Sequence, residues 1–209
     1  MLVRSFAILA AALALSACAI GHEYDYSAVQ PKVAAGGEAP LAIAVADMRG
    51  YVLDGEKAPD FVGLQRSGVA IPYPVSTASG APLAEDFAGI VARAYGEAGR
   101  ETEILPLTPG GGAGAARAAF AGSGAEKLLV IDMVEWKTDV HSQVTVHWDL
   151  VARVYDRTGA LLAEAESRGV EGTGSSELFE AGNSEIAAQE AARRLGELLA
   201  APEIEAALI

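Results

Sequence analysis

The spacing of apolar residues predicts alternating strands and helices over the first two thirds of the chain. Uninterrupted apolar runs at residues 41–47 (LAIAVAD) and 127–136 (KLLVIDMVEW) are typical of buried strands. Between them, residues 102–107 (TEILPL) predict another strand, and residues 109–124 predict a glycine-rich turn that leads into a short alanine-rich helix. The clearest helix follows Pro82, where apolar residues recur three and four positions apart: Leu83, Phe87, Ile90, Val91, Ala94 and Ala98.

After Gln143 the apolar residues alternate with polar ones, which is the pattern of an antiparallel strand with one covered face. Residues 156–159 (DRTG) predict a turn and residues 160–169 the returning strand. The final helix is expected to begin with Asn183 or Ser184 as its N-cap. In the alternating strand after Gln143, the residues expected on the covered face are Val144, Val146, Trp148, Leu150, Ala152 and Val154.

These elements follow the order β-α-β-α-β-β-β-α and predict one α/β (α+β) domain over residues 41–209. The order favours a mixed sheet of about five strands with helices packed on it. A chain of 209 residues is long enough to bury a single hydrophobic core of that size.

The first 17 residues have the order of a secretory signal peptide. The cation Arg4 precedes an apolar run over residues 6–15, and small residues follow. A transmembrane anchor is a less favoured alternative, because spanning a bilayer takes about 20 apolar residues.

Leu15-Ser16-Ala17-Cys18 resembles the bacterial lipobox, the cleavage motif of lipoprotein precursors. The resemblance implies removal of residues 1–17 and acylation of Cys18, which would attach the protein to a membrane. Ala19 in the next position implies sorting to the outer membrane, with the domain in the periplasm. An ordinary signal peptide with a chance cysteine is the alternative.

Residues 18–40 are polar, small and rich in proline and glycine, with no sustained period. We expect them to form a flexible lipidated tether with a root-mean-square length of roughly 25 Å.

The charge balance excludes some classes of partner. The formal net charge is −13, whereas nucleic-acid binding depends on clustered lysine and arginine. We therefore expect no nucleic-acid partner. Cys18 is the only cysteine, so the chain has no internal disulfide, and acylation would remove its free thiol.

A glycine-rich motif has the outline of a dinucleotide site. Residues 110–115 (GGGAGA) follow a predicted strand and enter a helix, and Asp132 lies near the end of the next strand. However, Thr108 and Pro109 separate the first strand from the glycines and loosen the tight turn that such a site requires. We therefore expect a flexible turn and no cofactor.

The polar residues around the alternating strand do not predict a metal site or a catalytic centre. His141, His147, Asp139 and Asp149 have metal-binding chemistry, but the two histidines are about 20 Å apart in an extended strand. No G-x-S-x-G motif occurs, and no thiol is free for catalysis. We expect solvated side chains, no bound metal and no enzymatic activity.

Residues 50–77 are a candidate partner-binding segment, because they are apolar but show no regular period. A connection longer than about 12–15 residues without structure is uncommon unless it is functional or disordered. In the first alternative the segment folds over a sheet edge and completes the core. In the second it presents an apolar patch to a protein partner. The residues expected in that patch are Phe61, Leu64, Ile71 and Tyr73.

The order of elements resembles small bacterial lipoproteins of the YajG type. It is more distantly similar to the periplasmic domain shared by the curli secretion lipoprotein CsgG, the LpoB-type activators and the N-terminal part of TolB. The stretches that carry the resemblance are LAIAVADMRG (41–50), PLAEDFAGIVARAYGEAG (82–99), EKLLVIDMVEWKTDV (126–140), VTVHWDLVARVYDRTGALLAEA (144–165) and the terminal helix.

The resemblance implies a non-enzymatic envelope lipoprotein that binds or scaffolds protein partners at the periplasmic face of the outer membrane. It is also compatible with a homo-oligomer. The alternative is an auxiliary lipoprotein subunit of a lipid or solute transport complex, which would need an apolar groove for its cargo.

Replacing Cys18 by Ser tests the lipid anchor. The variant should appear in the soluble fraction or as an unprocessed precursor, because the serine hydroxyl cannot accept the thioether-linked lipid. Membrane fractionation and the intact mass of the processed protein measure this. Unchanged fractionation together with an unchanged processed mass would contradict the prediction.

Overall fold

Eight strands form one mixed sheet in the described part of the chain, and five helices flank it. The computed structural model describes residues 22–34, 37–173 and 180–209. The strands are β1 (His22–Tyr24), β2 (Leu41–Asp47), β3 (Phe61–Arg66), β4 (Pro72–Thr77), β5 (Thr102–Ile104), β6 (Lys127–Val140), β7 (Val144–Asp156) and β8 (Leu161–Gly172). The helices are α1 (Gly50–Leu53), α2 (Leu83–Glu97), α3 (Gly112–Phe120), α4 (Glu180–Leu199) and α5 (Pro202–Leu208). The predicted class, one domain with a mixed sheet, is confirmed.

Strand β6 organises the sheet because one of its edges is shared by two strands. Its other edge pairs antiparallel with β7, which in turn pairs with β8. On the shared edge, β2 runs parallel to the first half of β6 and ends with Asp47 opposite Met133. β3 runs parallel to the second half, beginning with Gly63 opposite Thr138. The sheet therefore forks at β6 into a β2–β5 branch and a β3–β4–β1 branch.

A β-bulge in β6 lies at the fork. The register with β7 shifts between Met133 and Glu135, which leaves Val134 as the extra residue. The shift brings Met133 and Trp136 to the same face, and both are fully buried in the main core. The bulge thus keeps the apolar side of β6 against the core on both sides of the fork.

A buried ion pair occupies the gap between the two branches. Arg49 is 0% exposed, and its Nε and Nη2 donate to the two carboxylate oxygens of Asp47 at 2.8 and 2.6 Å. The same guanidinium donates to the backbone carbonyls of Phe61, Pro59 and Trp136. Burial alone would lower the pKa of Arg49, but the hydrogen bond and charge of Asp47 raise it above its ordinary value. One side chain therefore joins the end of β2, the start of β3 and the bulged part of β6.

Helices pack on both faces of the sheet, but they cover one face more fully than the other. Helices α2 and α4 lie on one face, where the ring of Phe87 packs edge-on against Trp136 with centroids 5.0 Å apart. Helix α3 covers part of the other face and forms a smaller core in which Phe120 and Leu128 are buried. All seven residues of β2 are buried. A strand covered on both faces is expected to be apolar throughout, which explains the LAIAVAD run.

The sheet has more strands than the sequence predicts, and the extra strands come from segments without a regular period. The second of them, β3, passes unusually close to β6. A Cβ atom on Gly63 would lie 2.2 Å from the carbonyl oxygen of Thr138, so only glycine fits there. Short strands with glycine or proline at such positions do not show the alternation that identifies longer ones.

The flexible tether predicted for residues 18–40 is wrong for its central part. Residues 22–24 form β1, which pairs parallel with the end of β4. Tyr24 and Tyr26 are almost fully buried, and the Tyr26 ring packs edge-on against Phe87 at 5.6 Å. Burial raises the pKa of the Tyr26 hydroxyl. The two aromatic side chains complete the core beneath the helices, and this holds the segment on the domain.

The helix predicted to end the chain begins earlier than its predicted N-cap and is followed by the short helix α5. Helix α4 begins at Glu180, and Asn183 is buried inside it. The hydroxyl of Ser184 accepts a hydrogen bond from the backbone N–H of Asp25 at 3.0 Å. Ser184 thus holds the segment after β1 against the helix.

Replacing Trp148 by Ala tests the predicted faces of β7. Trp148 is 8% exposed and lies between Arg194 and Gly169. Its replacement by Ala should lower the free energy of unfolding by about 3–5 kcal/mol. The neighbouring His147 points to the other face and is only half-buried, so His147→Ala should cost less than about 1 kcal/mol. Chemical denaturation measures both values, and equal losses would contradict the assignment of faces.

Candidate functional site

The four residues predicted to bind a partner lie in different environments. Phe61 is 6% exposed and packs edge-on against the ring of Tyr51 at 5.7 Å, so it belongs to the core. Leu64 is half-buried. Ile71 and Tyr73 are 51% and 46% exposed. The structure therefore does not gather the four into one patch: the segment completes the core at its start and is exposed at its end.

The exposed end comprises the turn between β3 and β4 and the first three residues of β4. We call these residues, 67–74 (SGVAIPYP), the hairpin tip. The N–H of Ser67 donates to the carbonyl of Ile71, and the N–H of Ala70 donates to that of Ser67. Ala70 has a φ of +65°, a left-handed conformation that is unfavourable for alanine. Val69 is 78% exposed. The turn thus holds apolar side chains in solvent in a defined backbone conformation.

The backbone of the hairpin tip is poorly suited to adding another strand. The described residues of β1 pair with residues 75–77 of β4, so residues 72–74 of β4 extend beyond the described part of β1. Pro72 and Pro74 in that extension have no N–H to donate. Contacts made by the tip therefore depend on its side chains.

Two contacts attach the base of the hairpin to the rest of the sheet. Arg66 donates two hydrogen bonds to the carboxylate of Asp139 on β6, at 2.7 and 2.6 Å. This hydrogen bonding holds the pKa of Asp139 below its ordinary value. On the other side, the ring of His22 lies edge-on to Tyr73, with centroids 6.3 Å apart. The start of β1 is thus a direct neighbour of the tip.

A second exposed surface is the part of the sheet that α3 leaves uncovered, which we call the open face. It contains a shallow depression of about 470 Å³ between β6, β7 and β8. Burial lowers the pKa of His147, and the neighbouring charge of Lys137 lowers it further. Charged groups of both signs and an apolar valine therefore share this surface. Its side chains are Glu135, Lys137, His147, Asp149, Arg168 and Val170.

A groove runs between the outer side of α4 and the segment that follows β1. Its volume is about 590 Å³, within the range of small-molecule sites. Small residues of α4 are part of its lining, and the backbone of Lys32 passes over Gly196. The lining residues are Val29, Gln30, Lys32, Gln189, Ala192, Arg193, Gly196, Glu197 and Ala200.

The glycine motif and the carboxylates of Asp132 and Asp139 are engaged in contacts within the chain. The N–H of Gly110 donates to the carbonyl of Asp47, and that of Gly111 donates to Thr108. Asp132 pairs with Arg153. Within residues 22–34, 37–173 and 180–209, no three histidine, cysteine, aspartate or glutamate side chains form a group that could hold a metal ion.

Sequence reasoning missed three parts of these surfaces. Val69 is the most exposed of the large apolar side chains of the tip, and the charge-free sequence around it was the available signal. His22 was assigned to the tether. Val170 is 63% exposed on the open face, and its exposure was not predictable because apolar and polar residues alternate only in the first half of β8.

The predicted lipobox residues Leu15, Ser16, Ala17 and Cys18 lie outside the described residues. Where the structure is described, no helix has the length and apolarity needed to cross a membrane.

Comparisons with known proteins give the fold. No protein-family model matches the sequence, and no curated protein matches it significantly. Among solved structures, the chain is similar to protein XCC0632 from Xanthomonas campestris, of the DUF330 family model, with a TM-score of 0.56 and 14% identity. That alignment covers 88% of this chain and 95% of the Xanthomonas chain.

Two further structures are less similar. PelC from Paraburkholderia phytofirmans, solved as a dodecamer, has a TM-score of 0.41 at 17% identity and covers 81% of this chain and 93% of its own. The lipoprotein GNA1162 from Neisseria meningitidis has a TM-score of 0.32 at 16% identity, with 73% and 94% covered. The chain therefore shares the fold of the Xanthomonas protein, and its function has to be argued from its own residues.

Proposed function

We propose that this protein is a lipid-anchored protein of the bacterial envelope that binds other proteins and does not catalyse a reaction. The observation that carries the proposal is the sequence Leu15-Ser16-Ala17-Cys18 after an apolar run. Acyl chains on Cys18 would hold the mature protein, and Ala19 favours the periplasmic face of the outer membrane. Since two or more acyl chains make attachment stable, no basic surface is needed, in keeping with the net charge of −13.

The short connection between Cys18 and the domain supports a position close to the membrane. Only three residues separate Cys18 from His22, where β1 begins. Fully extended, the chain from one Cα to the other spans at most about 14 Å. The domain is therefore kept at the membrane surface, where partners in the envelope meet it.

The open face is the surface that we assign to protein partners. Its charges of both signs suit a partner with complementary charges, which gives specificity and faster association. The depression of about 470 Å³ beside Val170 offers an apolar contact in the middle of these charges. Glu135 at one side of this surface accepts a hydrogen bond from Tyr51 of α1 at 2.8 Å, whereas the ion pair of Arg168 is with Glu166 of its own strand.

The groove beside α4 favours a second candidate function, an auxiliary subunit of a lipid or solute transport complex. Its volume of about 590 Å³ and the small lining residues Ala192, Gly196 and Ala200 suit an apolar cargo. The charged residues Lys32, Arg193 and Glu197 also line the groove and make it less suited to a whole lipid, so this function comes second.

Site-specific photo-crosslinking in cells tests the assignment of the open face. A photoreactive residue at Val170 should give a discrete protein adduct, whereas the same residue at Ile104, exposed at the opposite edge of the sheet, should give none. Adding Arg168→Glu should reduce the Val170 adduct several-fold without changing the melting temperature, because this side chain is 73% exposed.

The identity of the adduct separates the two candidate functions. A subunit of a membrane transporter supports the auxiliary role, and another envelope protein or a second copy of this chain supports the scaffold. Equal adducts at Val170 and Ile104, or an adduct unaffected by Arg168→Glu, would contradict binding through the open face.

A further inference from the structure

The hairpin tip lies beside the point where the chain enters the domain. β1 runs parallel to β4 with His22 opposite Val75, so the first described residue of β1 lies at the end of the sheet that carries the tip. The His22 ring contacts Tyr73 directly. The position of the N-terminus and that of the tip are therefore coupled.

Chain length limits how far the tip is from an acylated Cys18. The Cα atoms of Cys18 and His22 are at most about 14 Å apart. The tip is on the same end of the domain as His22, so an anchor at Cys18 brings the tip to the membrane surface. By contrast, β6 extends about 40 Å from Val140, near the tip, to Leu128 at the opposite end.

The composition of the tip suits the headgroup region of a bilayer. Its eight residues include no charged side chain, although 21% of the chain is charged. Of the ten large apolar side chains that are exposed among the described residues, Val69, Ile71 and Tyr73 fall within five positions. Apolar side chains next to a tyrosine, whose hydroxyl stays hydrated, are typical of segments that lie at a membrane interface.

We propose that the hairpin tip is a second membrane contact, which inserts Val69, Ile71 and Tyr73 into the lipid headgroup region beside the acylated Cys18. This rests on the proposed lipid anchor. The anchor holds one point of the protein, and the tip adds a second, which fixes how the domain stands on the bilayer. The opposite end of β6 and β7 is then directed away from the membrane.

An exposed apolar tip could also bind a protein. The structure favours a lipid bilayer over a protein partner. Pro72 and Pro74 weaken strand addition, and the chain itself holds the tip within reach of the bilayer before any partner arrives. The paired Arg66 and Asp139 at the base of the hairpin place no unpaired charge next to the lipid.

Fluorescence quenching in the full-length lipoprotein tests the proposal. Because Cys18 is the only cysteine and its thiol is blocked by acylation, Val69→Cys supplies one free thiol for an environment-sensitive dye. The control is Leu161→Cys, which is 52% exposed at the opposite end of the sheet. Both proteins are reconstituted into phosphatidylethanolamine–phosphatidylglycerol vesicles with and without lipids that carry a nitroxide near the headgroup.

The nitroxide lipids should reduce the emission at position 69 by about twofold or more, because an interfacial segment lies about 5–10 Å into the headgroup boundary. Emission at position 161 should stay unchanged. Equal emission with and without nitroxide at position 69, in protein that floats with the vesicles and carries one free thiol per chain, would overturn the tip contact alone. Two free thiols per chain and failure to float would instead overturn the lipid anchor, and the tip contact with it.

Discussion

The fold depends on the hydrogen bonds that the buried Arg49 donates across the gap between the two branches of the sheet. β6 exchanges β2 for β3 along one edge, and the backbone groups at that exchange cannot all be satisfied by strand pairing. Arg49 donates to the carbonyls of Phe61, Pro59 and Trp136 while Asp47 balances its charge. Removing one partner of such a pair typically costs about 3–5 kcal/mol, because the other charge stays buried.

The fork is what separates the surfaces of the protein. Strand β2 is covered on both faces, whereas the β3–β4–β1 branch extends past the core and ends in the hairpin tip. The same branch receives the chain from the N-terminus through β1. The open face lies on β6–β8, on the other side of the fork. The proposed membrane contact at the hairpin tip and the proposed partner surface on the open face thus lie on separate parts of one sheet.

Long elements with a clear period were predictable from the sequence. The apolar run of β2 and the alternation of β7 identify both strands at nearly their observed bounds. β1, β3 and β4 were not, because each has six residues or fewer and two contain proline or glycine. The burial of Arg49 was also hidden, since its carbonyl partners are 10, 12 and 87 residues away. Of the predicted partner residues, Ile71 and Tyr73 are exposed, whereas Phe61 belongs to the core. This difference depends on where β3 ends, and the sequence of β3 has no pattern that marks its end.

Hydrogen–deuterium exchange of the Arg49→Met variant tests the central role of the fork most directly. The matched control is Arg153→Met, which removes an arginine paired with Asp132 and Glu164 on the exposed side of the sheet. Arg49→Met should increase exchange in β1, β3 and β4 by about tenfold or more relative to β7 and β8, whereas the control should leave this ratio unchanged. Equal protection of the β3–β4–β1 branch in the two variants would contradict this prediction.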